Sequence, residues 1–445
     1  METFRFYLSK KIHSSRYVSD SETFLFKHIN ISDSEANRAL GKLVLTYHLL
    51  TKKKGIHKME QYKSNAKWLT YFAPFRALSI SAAYLTPFFL QNGLNLSQIF
   101  LLQSVFSVAC LLWELPSGYI ADRLGRAFSI KISAPIAAMA MIGYGLSHQF
   151  WQFVVWELVL ALANGLVSGV DTALLLDSLK ASDREKEFVK LSQRMNAFGF
   201  GATAAGVPIA LLLVKYVNIS STLVADGLMT LIGAIFAFKL AEAPRFNGTT
   251  EEVRLSAWHA IKRLGRNAEA RWLIILGSAL STATYLGFWL TTPYYQGMGI
   301  PVLLFSAILA IRSLWKAWLS HRFLQKRHIE RNMMVYASLV GLVYLGMATG
   351  QLWLVWVVLG HDIVQALQGQ PITAQLNAHI HHEYRATMNS LVNLVQRLAY
   401  SLAGPLVGWL IDSTNLHVGF VVTGLACSAT AFVALLRLKQ LKTFN

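Results

Sequence analysis

Charge is what this chain has least of. Charged residues make up 14% of it, whereas a soluble domain needs about a quarter to cover its surface. The shortage excludes an ordinary water-facing exterior and leaves much of the surface for lipid. Acids are scarcer than bases, 23 against 41, for a formal charge of +18. The bases sit in short loops between apolar runs, where topology accounts for them, so nucleic acid is not an expected partner. Only Cys110 and Cys427 are cysteines, and they lie in apolar segments of opposite halves, which argues against a disulfide framework or metal site. H-E-x-x-H, G-x-S-x-G, paired-aspartate and Walker A patterns are all missing. An enzyme and a directly ATP-driven pump are therefore disfavoured, and no cofactor is expected. The opening residues are polar and lack the short apolar core of a signal peptide.

Hydrophobic residues reach 54% of the 445 and the mean hydropathy is +0.41. Twelve runs are long enough to cross a bilayer, which takes about 20 helical residues. The first six are Trp68–Leu90, Ser97–Ile120, Phe128–Ser147, Phe150–Leu176, Leu191–Tyr216 and Ile219–Leu240. The second six are Arg271–Gln296, Pro301–His321, Asn332–Thr349, Gln351–Leu376, Thr387–Ile411 and Val418–Leu438. Long, continuously apolar runs without period-two alternation predict helices rather than barrel strands. The fold class is thus all-α, a polytopic membrane protein of twelve transmembrane helices. Residues 1–67 read as a polar cytoplasmic tail, with translation from Met59 as the alternative. Residues 68–240 and 271–445 read as two six-helix bundles, joined by a cytoplasmic linker over 241–270.

Loop charge alternates. Arg123, Arg126 and Lys131, then Lys180, Arg184, Lys186 and Lys190, then Arg322, Lys326, Arg327 and Arg331, then Arg385, all fall at one end of the helices. Gln91–Ser97 and Gln296–Pro301, at the other end, carry no charge, and Lys215 is the exception there. The positive-inside rule places the basic end, both termini and the linker in the cytoplasm.

The chain also repeats. Lys67-Trp68-Leu69 is answered by Arg271-Trp272-Leu273, and Thr86-Pro87-Phe88-Phe89 by Thr292-Pro293-Tyr294-Tyr295. Leu112-Trp113-Glu114 is answered by Leu314-Trp315-Lys316, and Gln193-Arg194-Met195 by Gln396-Arg397-Leu398. The offsets are 204, 206, 202 and 203. So constant a register predicts two pseudo-symmetric halves around one central site.

Between the second and third spans runs Glu114-Leu115-Pro116-Ser117-Gly118-Tyr119-Ile120-Ala121-Asp122-Arg123-Leu124-Gly125-Arg126. This resembles the signature loop of the major facilitator superfamily, G-x-x-x-D-R-x-G-R, with all five fixed positions present. The upstream Glu-x-Pro-x-Gly, with Arg385-Ala386-Thr387, resembles a bacterial branch that includes many predicted drug exporters. The likeness implies a transporter of the bacterial plasma membrane. Gly118 would let the second helix press against the other half. By the resemblance Asp122 would face the N-terminus of the eleventh helix near Asn389. Arg123 and Arg126 would pair with an acid such as Asp177, latching the cytoplasmic side, or would merely fix topology.

Ionisable groups at bilayer depth are expensive and face a cavity or a partner. Glu157, Asn164 and Asp171 are seven apart and Ser168 lies a turn away, so one face of the fourth span should carry all four. The tenth span carries His361, Asp362, Gln365 and Gln368. In the resembled family these two helices border the central path; the other reading is that these groups only bond neighbouring helices. Arg76, Asp226, Arg312 and Lys316 are also embedded. Arg76 would hold a substrate anion or, the favoured reading, neutralise Glu114 or Asp171. Proton coupling needs a carboxyl tuned by burial, and Asp171 ranks first, then Glu157 and Asp226. His379, His381 and His382 beside Glu383 read as a solvated loop rather than a metal cluster.

The leading expectation is a monomeric, proton-coupled transporter exporting small amphipathic solutes. The antiporter pattern G-x-x-x-G-P-x-x-G-G is degraded to Gly201 and Gly206-Val207-Pro208, with a partial echo at Gly404-Pro405-Leu406-Val407-Gly408. Metabolite uptake, or a non-transporting receptor or assembly factor on the same scaffold, are the alternatives.

Overall fold

The computed structural model describes residues 59–245, 267–323, 329–378 and 385–441, and this described chain is helix after helix. The helices are numbered by span. α1 runs over residues 61–77 and resumes at Leu85–Gln91. α2 is Leu96–Leu124, α3 Arg126–Gly145, and α4 has two pieces, Phe150–Val167 and Val170–Ala181. α5 is Phe188–Tyr216 and α6 is Ser220–Phe238. In the second half α7 is Ala268–Gly297, α8 Phe305–Phe323 and α9 Ile329–Ala348. α10 has two pieces, Leu359–Leu367 and Gly369–Ala378, followed by α11, Arg385–Ser413, and α12, Leu416–Gln440.

Ten of these, counted among the described residues, are long and apolar enough to cross a membrane. α9 has a shorter apolar stretch, Asn332–Ala348, and α1 is interrupted; together they complete the expected twelve. Their outer faces expose Leu112, Leu212, Ile235, Leu342, Leu402 and Leu436, a surface that only lipid can cover without penalty. Three helices start where an asparagine caps them: Asn95 takes the N–H of Gln98, Asn267 that of Ala270 and Asn415 that of Val418.

Within the first half α3 packs on α6 and α4, and α2 on α4; within the second, α9 packs on α12, α7 on α12 and α11, and α8 on α10. Glycine sets the closest approaches. A Cβ on Gly227 would stand 2.5 Å from Ile142, and one on Gly424 2.5 Å from Tyr344, so α6 and α12 lie backbone-close to α3 and α9. The halves meet through α2 against α11 and α5 against α8. The repeat register makes α8 the counterpart of α2 and α11 that of α5, so these two contacts are one contact repeated.

Three expected spans are not continuous. Residues 78–84 interrupt α1. Gly169, at φ +73, breaks α4 after Ser168, and α10 bends at Gln368. The first helix also begins earlier than Trp68. Asn65 is fully buried, donating to Ser178 Oγ and the Ala241 carbonyl at 2.8 Å each and accepting from the Ala241 N–H. Residues 61–67 therefore belong to the bundle rather than to a polar tail.

Candidate functional site

The motif loop is built around a glycine whose backbone any other residue would strain. Gly125 separates α2 from α3 at φ +111, and a Cβ there would lie 2.6 Å from Glu242 Oε2. That clearance lets the Glu242 carboxylate accept the N–H groups of Arg126 and Ala127 at 2.9 and 2.8 Å, capping α3 from the far end of α6. Arg126 pairs with Asp177, as expected, and both are largely buried. Arg123 does not join them: its guanidinium lies over the Tyr119 ring at 5.4 Å. Asp122 lies 3.6 Å from Arg245, whose Nη2 donates to the Ala121 carbonyl at 2.8 Å. The side chain of Asn389 lies outside the described residues, as do the linker residues 246–266 and His379, His381, His382 and Glu383. Among the described residues, a Cβ on Gly118 would meet nothing within 4 Å, and the facing side chains at the start of α11 lie outside them.

The polar stripe of the fourth span divides in two, because the break at Gly169 turns the second piece toward a different neighbour. Glu157, 4% exposed, accepts from Gln103 Nε2 of α2 at 3.1 Å. Asn164 points the same way, toward Cys110 Sγ at 3.7 Å. Ser168 is exposed at the break. Asp171 instead pairs with Arg76 of α1 at 3.2 Å. Arg76 thus neutralises Asp171 and not Glu114, which is exposed and pairs with no described cation. Asp226 accepts the N–H groups of Ile80 and Ser81 at 2.6 and 2.9 Å and the Ser81 hydroxyl at 2.6 Å. These amides are the donors that the gap in α1 frees, so Asp226 caps a broken helix.

In the second half the stripe also divides. Asp362 makes a two-pronged pair with Arg312, at 2.8 and 3.0 Å, and Arg312 reaches Thr291 Oγ1 at 3.3 Å. Lys316 donates to Gln365 at 3.1 Å and stands 3.8 Å from Asp362. His361 and Gln368 turn toward other helices. His361 packs 4.6 Å from the Tyr344 ring and against Gly287, with neither ring nitrogen bonded to a described residue. Gln368 donates to Ser281 Oγ at 3.2 Å.

Opposite the motif loop, the charge-poor ends of the two halves are tied together. Asp412, at the end of α11, accepts the N–H groups of Leu96 and Ser97 at 3.2 and 2.7 Å and the Ser97 hydroxyl. Tyr84 donates to Ser306 Oγ at 2.9 Å, and Ser104 to the Ser401 carbonyl at 2.8 Å. Sequence reasoning missed Asp412, Glu242 and Arg245. An acid just past a helix end is an ordinary solvated residue until its distant partner is known. The one available signal was Asp412 itself, an acid in an end that otherwise carries almost no charge.

Comparison with known proteins fits this geometry. The model of the Major Facilitator Superfamily matches residues 68–404. No curated protein sequence matches the chain. The nucleoside transporter NupG superposes with a TM-score of 0.71 at 15% identity, covering 85% of this chain and 99% of that one. A bacterial homolog of the human lysosomal transporter Spinster, in an inward-facing, unoccupied conformation, gives 0.66 at 16% identity over 86% and 98%. A D-xylose-proton symporter gives 0.60 at 14% identity over 85% and 96%.

Proposed function

This chain belongs to the Major Facilitator Superfamily, and from that membership we propose that it moves a small solute across the bilayer by alternating access, coupled to protons. One observation carries the reading. α2 bears the family motif at its basic end and receives the Asp412 carboxylate of α11 at its other end. A helix pair clasped at one end between two pseudo-symmetric halves is what a rocking carrier needs, since the clasp must break for the other face to open. Loop charge supports a cytoplasmic basic end, and the branch resemblance supports a bacterial plasma membrane. In that orientation the Asp412 clasp closes the outer face.

Among the membrane carboxyls, Glu157 is now the first choice for the coupling proton. Asp171 is neutralised by Arg76, Asp362 by Arg312, and Asp226 is occupied by three donors. No described cation pairs with Glu157. A bare buried carboxylate is costly in lipid, and binding a proton removes the charge. Export of amphipathic compounds, the reading suggested by branch resemblance and aromatic content, draws less support. Phe88, Phe89, Tyr144 and Phe153 are packed on one another and buried, so they do not line a path. The embedded ion pairs favour a polar solute.

Reconstituted liposomes with a pH-sensitive dye inside test the reading. A panel of sugars, nucleosides, amino acids, organic acids and lipophilic drugs is presented across an imposed pH gradient. Solute-dependent proton movement in protein-containing liposomes is the expected result. A panel member that stabilises the purified protein against heat yet moves in neither direction would instead favour a receptor on this scaffold.

A further inference from the structure

Two lysines from different helices stand over one tryptophan. Lys67 of α1 holds its Nζ 5.0 Å from the centre of the Trp68 ring and 5.8 Å from that of Tyr71. Lys239, the residue that ends α6, holds its own Nζ 4.4 Å from the same Trp68 ring. Packing fixes the ring in turn: Trp68 stacks on Phe236 at 6.4 Å, and Tyr71 meets Phe236 at 5.8 Å. α1 and α6 therefore share one aromatic platform, and both ammonium groups lie on it.

A ring face attracts a cation but carries no net charge, so the platform holds two positive charges that repel. Among the described residues no carboxylate pairs with either lysine. Glu242, three residues beyond Lys239, spends its oxygens on the N–H groups of Arg126 and Ala127. Both lysines are exposed. Each has a plain explanation when taken alone. A lysine at a helix C-terminus complements the helix dipole, and one near the end of a span reaches for water. Neither explains why both come to one ring against their mutual repulsion.

The surroundings of the platform say what meets it. α1 runs from the basic end and α6 runs toward it. One turn deeper than Lys67 is Tyr71, and one turn deeper than Lys239 is Ile235, with Ile232 beyond it; all three are exposed. This flank of the first half thus turns apolar directly below the two charges, and lipid covers such a face without penalty. The lysines themselves lie where tryptophan and tyrosine meet lipid headgroups.

We propose that Lys67, Lys239 and Trp68 form a binding site for an anionic phospholipid in the leaflet at the basic end. Its phosphate meets the two ammonium groups, and its acyl chains run along Tyr71, Ile235 and Ile232. The headgroup supplies the negative charge that the protein leaves out, and it bridges the first helix of this half to the last. The occupant is a lipid rather than a free phosphate because the apolar flank continues from the charges.

The test uses purified full-length protein in detergent micelles at constant ionic strength, doped with lipid brominated on its acyl chains. Bromine quenches a tryptophan it touches, so Trp68 is read as the difference between the wild type and Trp68→Phe. Phosphatidylglycerol should quench Trp68 at a mole fraction about tenfold or more below that needed with phosphatidylcholine. Lys67→Gln and Lys239→Gln should each remove about fivefold of that preference, and Lys67→Arg and Lys239→Arg should restore it. Lys215→Gln should leave it unchanged, since Lys215 lies alone over Tyr216, at 4.9 Å, at the other end of the bundle. Equal quenching by the two lipids overturns the site without recourse to any lysine variant. If Trp68→Phe does not fold, thermal stabilisation of the wild type by the two unbrominated lipids makes the same comparison. A preference that survives both glutamine substitutions also overturns the site and leaves the lysines as a helix-end cap and a solvated side chain. Displacement of phosphatidylglycerol by millimolar inorganic phosphate overturns the lipid and puts a soluble anion in its place.

Discussion

Arg123 and Arg126 stand three residues apart in one loop and have different physical situations. Arg126 is buried against Asp177, whose side chain is 1% exposed. Deleting the acid leaves a buried guanidinium without its carboxylate, at a cost of about 3–5 kcal/mol. Arg123 lies exposed over Tyr119, an arrangement worth about 0.5–1 kcal/mol. Asp177→Ala should therefore melt well below the wild type in detergent and Arg123→Ala close to it; equal shifts would show that the burial argument is wrong. For coupling, Glu157→Gln should lose accumulation driven by a pH gradient and keep solute exchange at fixed pH, both measured in liposomes. If Asp171→Asn shows that split and Glu157→Gln does not, the order given by sequence was right after all. The loop was legible because its fixed positions are adjacent in the chain. Glu242 was not, since it lies 116 residues from Arg126 and nothing local marks it.

Carboxylates from a neighbouring helix recur at the open starts of helical segments. Glu242 of the α6 end caps α3, Asp412 of α11 caps α2, and Asp226 of α6 holds the gap in α1. Each supplies negative charge to amides that the helix itself leaves unpaired, and only those at Asp226 are buried. Asp226 is the most consequential, because its three donors are buried and lose every partner in Asp226→Ala. A loss of about 3 kcal/mol or more is expected, with Asp226→Asn intermediate because its single acceptor oxygen is retained. Wild-type melting of Asp226→Ala would mean that the gap in α1 does not depend on the carboxylate. The gaps themselves show where hydropathy stops informing. Leu78 to Tyr84 contains neither glycine nor proline and averages as apolar, so nothing in it marks a break. Ser168-Gly169 was a turn signal that the long apolar window hid. The stripe of Glu157, Asn164 and Asp171 was drawn on an unbroken helix, and the geometry separates its ends.

At the scale of the whole molecule, the repeat in sequence reappears as a repeat in contact, α2 on α11 and α8 on α5. The proposed rocking about that pair predicts what the Asp412 clasp is for. Its bonds are exposed, so their loss should change the balance between the two faces by about 1.5 kcal/mol, which is about tenfold in population. In a background of Cys110→Ala and Cys427→Ala, a Ser306→Cys reporter lies at the closed end, where Ser306 is 4% exposed and bonded to Tyr84. An impermeant maleimide should label it about ten times faster from that side once Asp412→Ala is added. Ser117→Cys is the control, because Ser117 is buried within one half and lies against Gly165 of α4. Rocking moves the halves as bodies and leaves that packing intact, so its labelling should not change. Loosening of the bundle would speed both reporters together, and that outcome would reduce the clasp to an ordinary stabilising cap.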